Sequence, residues 1–408
     1  MAGNGAGDGR IAVTGMGALT PLGVDAPSSW SALLAGKSGV RFLDQEWAAE
    51  LPVHVAAGLP EDPAGLLPRV EARKLDRGEQ LALLAAREAW RDAGAPEVAP
   101  ERLAVVIGTG TGGMLTTLAQ DDLLESAGAR RLSPFAVPML MPNGPAAWVS
   151  MDLGARGGAR TPVSACASGA EALAMAQDLI RAGRADVVVA GGVEACLHPF
   201  TLAAFAQMKA LSTAAEDPES VSRPFDAARS GFVMGEGAGI MVLERDGFAR
   251  ARGARTYGAL AGSAVTSSAH HITASDADGQ VVAMELALRD AGLGASDIGV
   301  VHAHATSTGS GDLAEAQAIR RAVGGHAAVT ATKSMTGHML GASGTVGAMV
   351  ALLALHEGAL PATRNLERLD PAIDLDVVHG EVRTGDWGAA LANSFGFGGH
   401  NVSLVLTR

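Results

Sequence analysis

The feature that most constrains this chain is that it repeats itself. Arg91-Asp92-Ala93-Gly94 ends one helical segment and Arg289-Asp290-Ala291-Gly292 ends another. Each is followed by a valine-rich, strand-like run and a turn: Gly108-Thr109-Gly110-Thr111-Gly112 in the first case, Ala305-Thr306-Ser307-Thr308-Gly309 in the second. Further on, Ala167-Ser168-Gly169 opens a helical stretch that reaches Gly183, and Ala342-Ser343-Gly344 opens another that reaches Gly358, fourteen residues from glycine to glycine in both. Short coincidences are common, but these recur in the same order with the same neighbours, which implies a diverged duplication. The expected organisation is a flexible tail over 1–9, a first half over 10–252 and a second half over 253–408, joined near 251–255. Two related strand-to-helix turns would then face one active site.

Within each half, strand-like apolar runs alternate with helical patterns, which predicts a mostly buried α/β sheet system. Strands are expected at 11–15, 103–108, 187–191, 240–243, 257–261, 298–304, 329–332 and 402–406. Helices are expected at 80–93, 171–182, 280–291, 312–323 and 345–357. Gly94, Gly183, Gly292, Gly324 and Gly358 fall where helix C-caps belong. With 48% apolar residues, 53 glycines and only 4% aromatics among 408 residues, the interior must be built from small side chains with backbones packed close.

Thirty-one basic against 43 acidic residues give a net charge of −12, so no global positive field exists to collect nucleic-acid or membrane phosphates. Two cysteines, Cys166 and Cys196, do not make a disulfide framework. The Gly-rich start lacks the basic and apolar regions of a secretion signal, and no uninterrupted apolar run reaches the ~18 residues of a membrane span. A cytoplasmic protein is expected.

Cys166 lies in Pro162-Val163-Ser164-Ala165-Cys166-Ala167-Ser168-Gly169, ahead of an Ala-rich helix. A thiol there faces the positive end of the peptide dipoles and free N–H groups, which favour thiolate and can hold an oxyanion. His304 ends the run Val300-Val301-His302-Ala303-His304, and His338 directly precedes the helix that is the counterpart of the Cys166 helix. By the duplication, one Cys and two His converge. His302 is two residues from His304 and could share its strand face, so spacing alone does not choose between them. A zinc site is weaker, because no Cys/His pairing of the usual ligand spacing surrounds Cys166. Gly108-Thr109-Gly110-Thr111-Gly112-Gly113 lacks both the GxGxxG helix start and a Walker lysine, which argues against a nucleotide. Cys196 has no motif and reads as structural.

Taken together, these residues resemble a family. Ser164-Ala165-Cys166-Ala167-Ser168-Gly169, His304-Ala305-Thr306-Ser307-Thr308, Lys333-Ser334-Met335-Thr336-Gly337-His338 and Asn393-Ser394-Phe395-Gly396-Phe397-Gly398-Gly399-His400-Asn401 are similar to four ordered motifs of the β-ketoacyl-acyl-carrier-protein synthases, closest to the elongating Cys-His-His type. The likeness runs from about Arg10 to Leu406. It implies a thiolase fold, two βαβαβαββ halves in a five-layer αβαβα arrangement, and a homodimer or close heterodimer. It implies that Cys166 takes an acyl group from an acyl-carrier protein, with an oxyanion hole from the N–H groups of Cys166 and Phe397. His304 and His338 would hold a malonyl thioester carbonyl, and Lys333, with Glu315 nearby, would support them. Thr111 and Phe397 would line the acyl pocket, while Arg73, Lys74 and Lys209 would dock the acidic carrier protein. No cofactor or metal is implied.

One departure is His302-Ala303-His304-Ala305-Thr306 where the family has Asn-Ala-His-Gly-Thr; Ala305 is expected to cost the freedom of a positive-φ glycine. The expected activity is decarboxylative Claisen condensation in fatty-acid elongation, with a type II polyketide ketosynthase as the alternative. Degradative thiolases need a second cysteine in the C-terminal loop, and 393–401 has none. A non-catalytic chain-length-factor-like subunit would lack the nucleophile, which is present here.

Overall fold

The computed structural model describes residues 10–214 and 217–408; the expected tail over 1–9 lies outside the described residues. Eleven strands form one mixed sheet: β1 (Ile11–Leu19), β2 (Leu103–Gly108), β3 (Ala159–Arg160), β4 (Val187–Glu194), β5 (Gly237–Arg245), β6 (Gly258–Ser267), β7 (Ile298–His302), β8 (Ala328–Thr330), β9 (Asp376–Val377), β10 (Ala389–Gly396) and β11 (His400–Thr407). Their order is β9-β8-β7-β10-β11-β6-β1-β5-β4-β2-β3. Read outward from the centre, β1-β5-β4-β2-β3 and β6-β11-β10-β7-β8 have the same topology: two antiparallel pairings, then two parallel ones. The repeat in the sequence is thus a repeat in strand order, with β9 added at one edge.

The thiolase-type layering follows from which faces are apolar. In β2, Ala104 and Val106 face one way and Leu103, Val105 and Ile107 the other, and all are buried. A strand buried on both faces needs a helix layer on each. The outer layer of the first half is α1 (Arg77–Asp92) with α2 (Gly144–Leu153), whose Leu81, Ala85 and Val149 pack over Val105, Val189 and Ile240. The central layer is α3 (Ser168–Arg181) with α6 (Ser343–Glu357), shared by both half-sheets. The outer layer of the second half is α4 (Ala277–Ala291) with α5 (Gly309–Ala322), where Met284 and Ile319 cover Ile298, Val301 and Leu391. The two half-sheets join edge to edge through a short antiparallel ladder between β1 and β6, from Ile11↔Leu260 to Val13↔Gly258.

The glycine-rich composition has a specific use in the middle layer. A Cβ on Gly169 would lie 2.5 Å from the Gly341 carbonyl oxygen, and one on Gly192 2.2 Å from the same atom, so α3, β4 and the turn before α6 can meet only without side chains. The stretch Leu340–Glu357 has the length and apolarity of a membrane span, yet 89% of it is buried, because it is the central core helix.

Every expected strand and helix exists, and the helices start about three residues early. The expectation for α1 began where the apolar period begins, whereas the helix begins at its cap: Asp76 accepts from Gly78 N at 2.8 Å and Glu79 accepts from Asp76 N at 2.8 Å. The glycine-rich loop expected over 393–401 is a correction. Asn393–Gly396 ends β10, His400 begins β11, and only Phe397–Gly399 turn between them, with Gly398 and Gly399 at φ +92° and +77°. Alanine, asparagine and serine are poor strand formers, and β10 is held by pairing with β7 and β11 rather than by propensity.

Candidate active site

The functional side chains gather outside the carboxyl ends of the strands, where an open α/β sheet leaves a crevice. A cleft of roughly 240 Å³ is lined by Cys166, His304, His338, Phe395 and Phe397, together with the hydroxyl residues Ser268, Thr273, Ser275, Thr306, Thr308 and Ser310 and the apolar residues Phe205, Phe232, Met208 and Leu340.

Cys166 sits on the 3-10 turn Ala165–Ala167 that leads into α3. Ala165 adopts φ +50°, a conformation an alanine takes only when its surroundings impose it. Here Ser168 accepts from Ser164 N at 2.9 Å and lies 2.7 Å from the Ala165 carbonyl oxygen, closing the turn. The backbone N–H groups of Cys166 and Phe397 favour the charged form of the thiol. The helix start favours the thiolate, as the sequence suggests, but burial works against it. Burial pushes the thiol up to about 12, and the lowering influence of Lys333 and the two N–H groups does not compensate, while Glu194 adds to the rise.

His304 is gripped through its main chain. Its N–H and that of Ala305 donate to the Glu315 carboxylate at 2.7 and 2.6 Å, and its carbonyl accepts from the Lys333 ammonium. The rings of His304 and His338 stand edge to face with centroids 5.3 Å apart. His338 is fixed by its N–H to Val233 O at 2.7 Å and by Nδ1, 3.0 Å from Ser343 Oγ. Burial and the Lys333 charge hold both imidazoles well below their ordinary range, so both are neutral near pH 7. His304 Nδ1 and His338 Nε2 are buried without a hydrogen-bond partner among the described residues. Lys333 and Glu315 are a buried pair: burial lowers the amine and raises the carboxyl, and each opposes the shift of the other.

His302, which spacing left level with His304, is not on the cleft. Its Nε2 lies 2.8 Å from Thr332 Oγ1, and burial takes it down to about 3. Ala305 lines the cleft but is not among the residues with positive φ, so the expected loss of glycine-like freedom does not arise. Thr111, expected at the acyl pocket, is not among the residues lining this cleft, and its hydroxyl donates to Glu194 at 2.6 Å. Lys333 does not line the cleft either and acts through the His304 carbonyl. Of the three expected docking cations only exposed Lys209 is at the cleft; Arg73 lies at a separate surface hollow, and the Lys74 ammonium sits 5.8 Å over the Phe135 ring. Cys196 is fully buried in an apolar cluster with Leu202, Phe232 and Met234.

Glu194 escaped sequence reading. Its buried carboxylate accepts from Thr109 Oγ1, Thr111 Oγ1 and the N–H groups of Gly110, Thr111 and Gly341, tying the first-half turn to the turn that follows His338. The available signal was a lone acid closing the apolar run Val187–Glu194. Ser343 was seen only as part of the repeat, not as the partner of His338.

A layered duplicated α/β fold with a cysteine and two neutral histidines at one crevice is that of a condensing enzyme. The beta-ketoacyl synthase N-terminal domain family matches residues 8–249 and the corresponding C-terminal domain family matches residues 257–367, and the chain belongs to the beta-ketoacyl synthase family. It is 43% identical over 404 residues to 3-oxoacyl-[acyl-carrier-protein] synthase 2 of Mycobacterium tuberculosis, covering 98% of this chain and 97% of that one. Among solved structures it is similar to a beta-ketoacyl synthase from Burkholderia phymatum, with TM-score 0.91 and 36% identity over 98% of this chain and 99% of that one. It is also similar to a type II PKS ketosynthase in complex with its acyl-carrier protein, with TM-score 0.88 and 30% identity over 98% and 99%.

Proposed function

We propose that the chain elongates acyl groups in fatty-acid synthesis, taking both substrates as thioesters of acyl-carrier protein. The observation that carries this is the convergence of Cys166, His304 and His338 on one cleft. In the first half-reaction the Cys166 thiol exchanges with the carrier thioester: the acyl carbon–sulfur bond to the carrier breaks, the bond to Cys166 forms, and the thiol proton leaves with the carrier thiol. The N–H groups of Cys166 and Phe397 then hold the acyl oxygen. In the second, the malonyl thioester loses carbon dioxide. The resulting enolate attacks the acyl carbon, and the cysteine sulfur departs and takes up one proton.

Decarboxylation needs donors for the enolate oxygen more than a strong base. Donation to an enolate oxygen requires the His338 proton on Nε2, the atom without a partner among the described residues, and Ser343 Oγ, 3.0 Å from Nδ1, can donate to that tautomer. Lys333 and Glu315 position His304 through its backbone. The hydroxyls lining the cleft suit an amide-bearing carrier arm, and exposed Lys209 on the cleft, with Arg73 and Lys74 outside it, suits an acidic carrier.

Type II polyketide elongation is the second reading, favoured by the similarity to a polyketide ketosynthase; the higher identity to 3-oxoacyl-[acyl-carrier-protein] synthase 2 favours the first. We read the halves as 10–252 and 253–408, the location as cytoplasmic and the assembly as a homodimer. The dimer is supported by exposed Val137, Leu140 and Met151 on the flank near the short edge strand β3. The test is mass spectrometry after incubation with acyl-carrier proteins of graded chain length: an acyl adduct on Cys166 is expected, and its absence at every length would favour a non-catalytic partner subunit.

A further inference from the structure

Three buried side-chain atoms of cleft-lining residues have no hydrogen-bond partner among the described residues: His304 Nδ1, His338 Nε2 and Gln280 Oε1. The two histidines belong to the proposed chemistry, and Gln280 is not used by it. Gln280 sits in the first turn of α4, on the face that also buries Val281, Ala283, Met284, Ala287 and Leu288, where the helical period calls for an apolar residue. It is 2% exposed. Other polar residues lining the cleft do have partners: Asp276 accepts from the N–H groups of Asp278 and Gly279, Asn401 donates to Ser268, and Thr306 pairs with Thr308. A carboxamide oxygen buried on a core face without a partner among the described residues is an unfavourable arrangement that a bound ligand relieves.

We propose that Gln280 is a binding residue for an amide of the thioester donor's arm. A carboxamide offers one acceptor and two donors, so it can accept from an amide N–H and donate to an amide C=O at once. That matches the secondary amides of a pantetheine arm better than a simple hydroxyl or an alkyl chain. The location fits, since Gln280 lines the same cleft as the hydroxyl cluster Ser268, Ser275, Thr306 and Thr308. This inference rests on the thioester reading above.

The test is single-turnover acylation of Cys166 followed by mass spectrometry, with octanoyl-pantetheine and octanoyl-ethanethiol as donors, the second having no amide. Wild type must first acylate from octanoyl-pantetheine; if it does not, the proposed function fails before Gln280 is in question. Gln280→Met, which keeps length and removes both polar atoms, is expected to raise the KM for octanoyl-pantetheine roughly threefold to tenfold. The maximal acylation rate and the reaction with octanoyl-ethanethiol should be unchanged, and Tm should stay level or rise because an unsatisfied polar group is gone. Equal loss with both donors, an unchanged KM for octanoyl-pantetheine, or a lowered Tm would each overturn the proposal. Gln280→Leu gives the same readouts should the methionine pack poorly.

Discussion

The two halves carry the same strand-to-helix turn and use it in opposite ways. The 3-10 turn Ala165–Ala167 leads into α3, and Leu340–Ala342 leads into α6. The residue at positive φ is Ala165 in one and Leu340 in the other, at +50° and +40°. Cys166 therefore corresponds to Gly341, Ser168 to Ser343, and exposed Val163 to buried His338. At Cys166 the turn is open to the cleft and holds a nucleophile. At Gly341 there is no room for one, since a Cβ would lie 2.9 Å from Gly110 N and 3.0 Å from Glu194 Oε2. The two serines diverge as well: Ser168 closes its own turn, and Ser343 reaches back to His338. Duplication supplied one turn geometry twice, and one copy kept the tip while the other moved its chemistry to the residue ahead of the turn.

The hardest test of this division is to remove the tip. Cys166→Ala is expected to abolish condensation, because no acyl acceptor remains, while malonyl decarboxylation persists because it depends on the other turn. Product analysis and carbon dioxide release measure the two separately, and residual condensation would break the comparison. Removing either histidine attacks the other side. His304→Ala and His338→Ala should each lower decarboxylation on the order of 10²–10³-fold, the usual loss for one oxyanion donor. His302→Asn should be mild, since His302 lies off the cleft.

The serines sharpen the contrast. Ser343→Ala leaves the His338 ring without its orienting partner, and decarboxylation should fall about tenfold with little change in Tm, by analogy with outer partners of ligating histidines. Ser168→Ala should do the reverse, lowering stability by roughly 1–3 kcal/mol through unsatisfied buried backbone groups. The same loss of Tm in both would mean that the serines have one structural role.

Protonation gives a further check. Because His302, His304 and His338 are held below 6.5 in the folded protein, the unfolded chain binds more protons between those values and 6.5. Their contribution to stability is whole above pH 6.5 and is lost as pH falls below it. Decarboxylation should accordingly show no inflection near 6.5, which a pH–rate profile on protein verified as folded will test.

Legibility in the sequence followed the same division. The repeat was readable because turns and caps are local: Gly183 and Gly358 both take φ +67°. Cys166, His304 and His338 were readable because each sits in a short motif. What was not readable depends on contacts distant in sequence. Nothing local says that the Glu194 carboxylate reaches Gly341 N, 147 residues away. Nothing local says that Thr111 turns toward that carboxylate instead of the cleft, or that Ala-rich β10 becomes a strand between two better ones. The net balance at the Cys166 thiol was unreadable for a related reason. A helix N-terminus is visible in sequence, whereas the burial that outweighs it is not.

The smallest expected effect concerns the one place where the motif departs from its family beside the cleft. Ala305 replaces a glycine, and a glycine that needed positive φ would leave an alanine strained by about 1 kcal/mol or more. The backbone at Ala305 is not in that region, its N–H is held by Glu315, and its methyl is fully buried among Ala303, Ala331 and their neighbours. Ala305→Gly therefore removes buried apolar surface and adds freedom to the unfolded chain. Stability should drop by about 0.5–1 kcal/mol, read as a lower Tm, while condensation stays within about twofold because the hydrogen bonds that position His304 run through the backbone and survive. A large gain in rate would show that the Ala305 methyl obstructs the cleft, and the second-half turn would then be a site of restrained activity rather than an intact counterpart of the first.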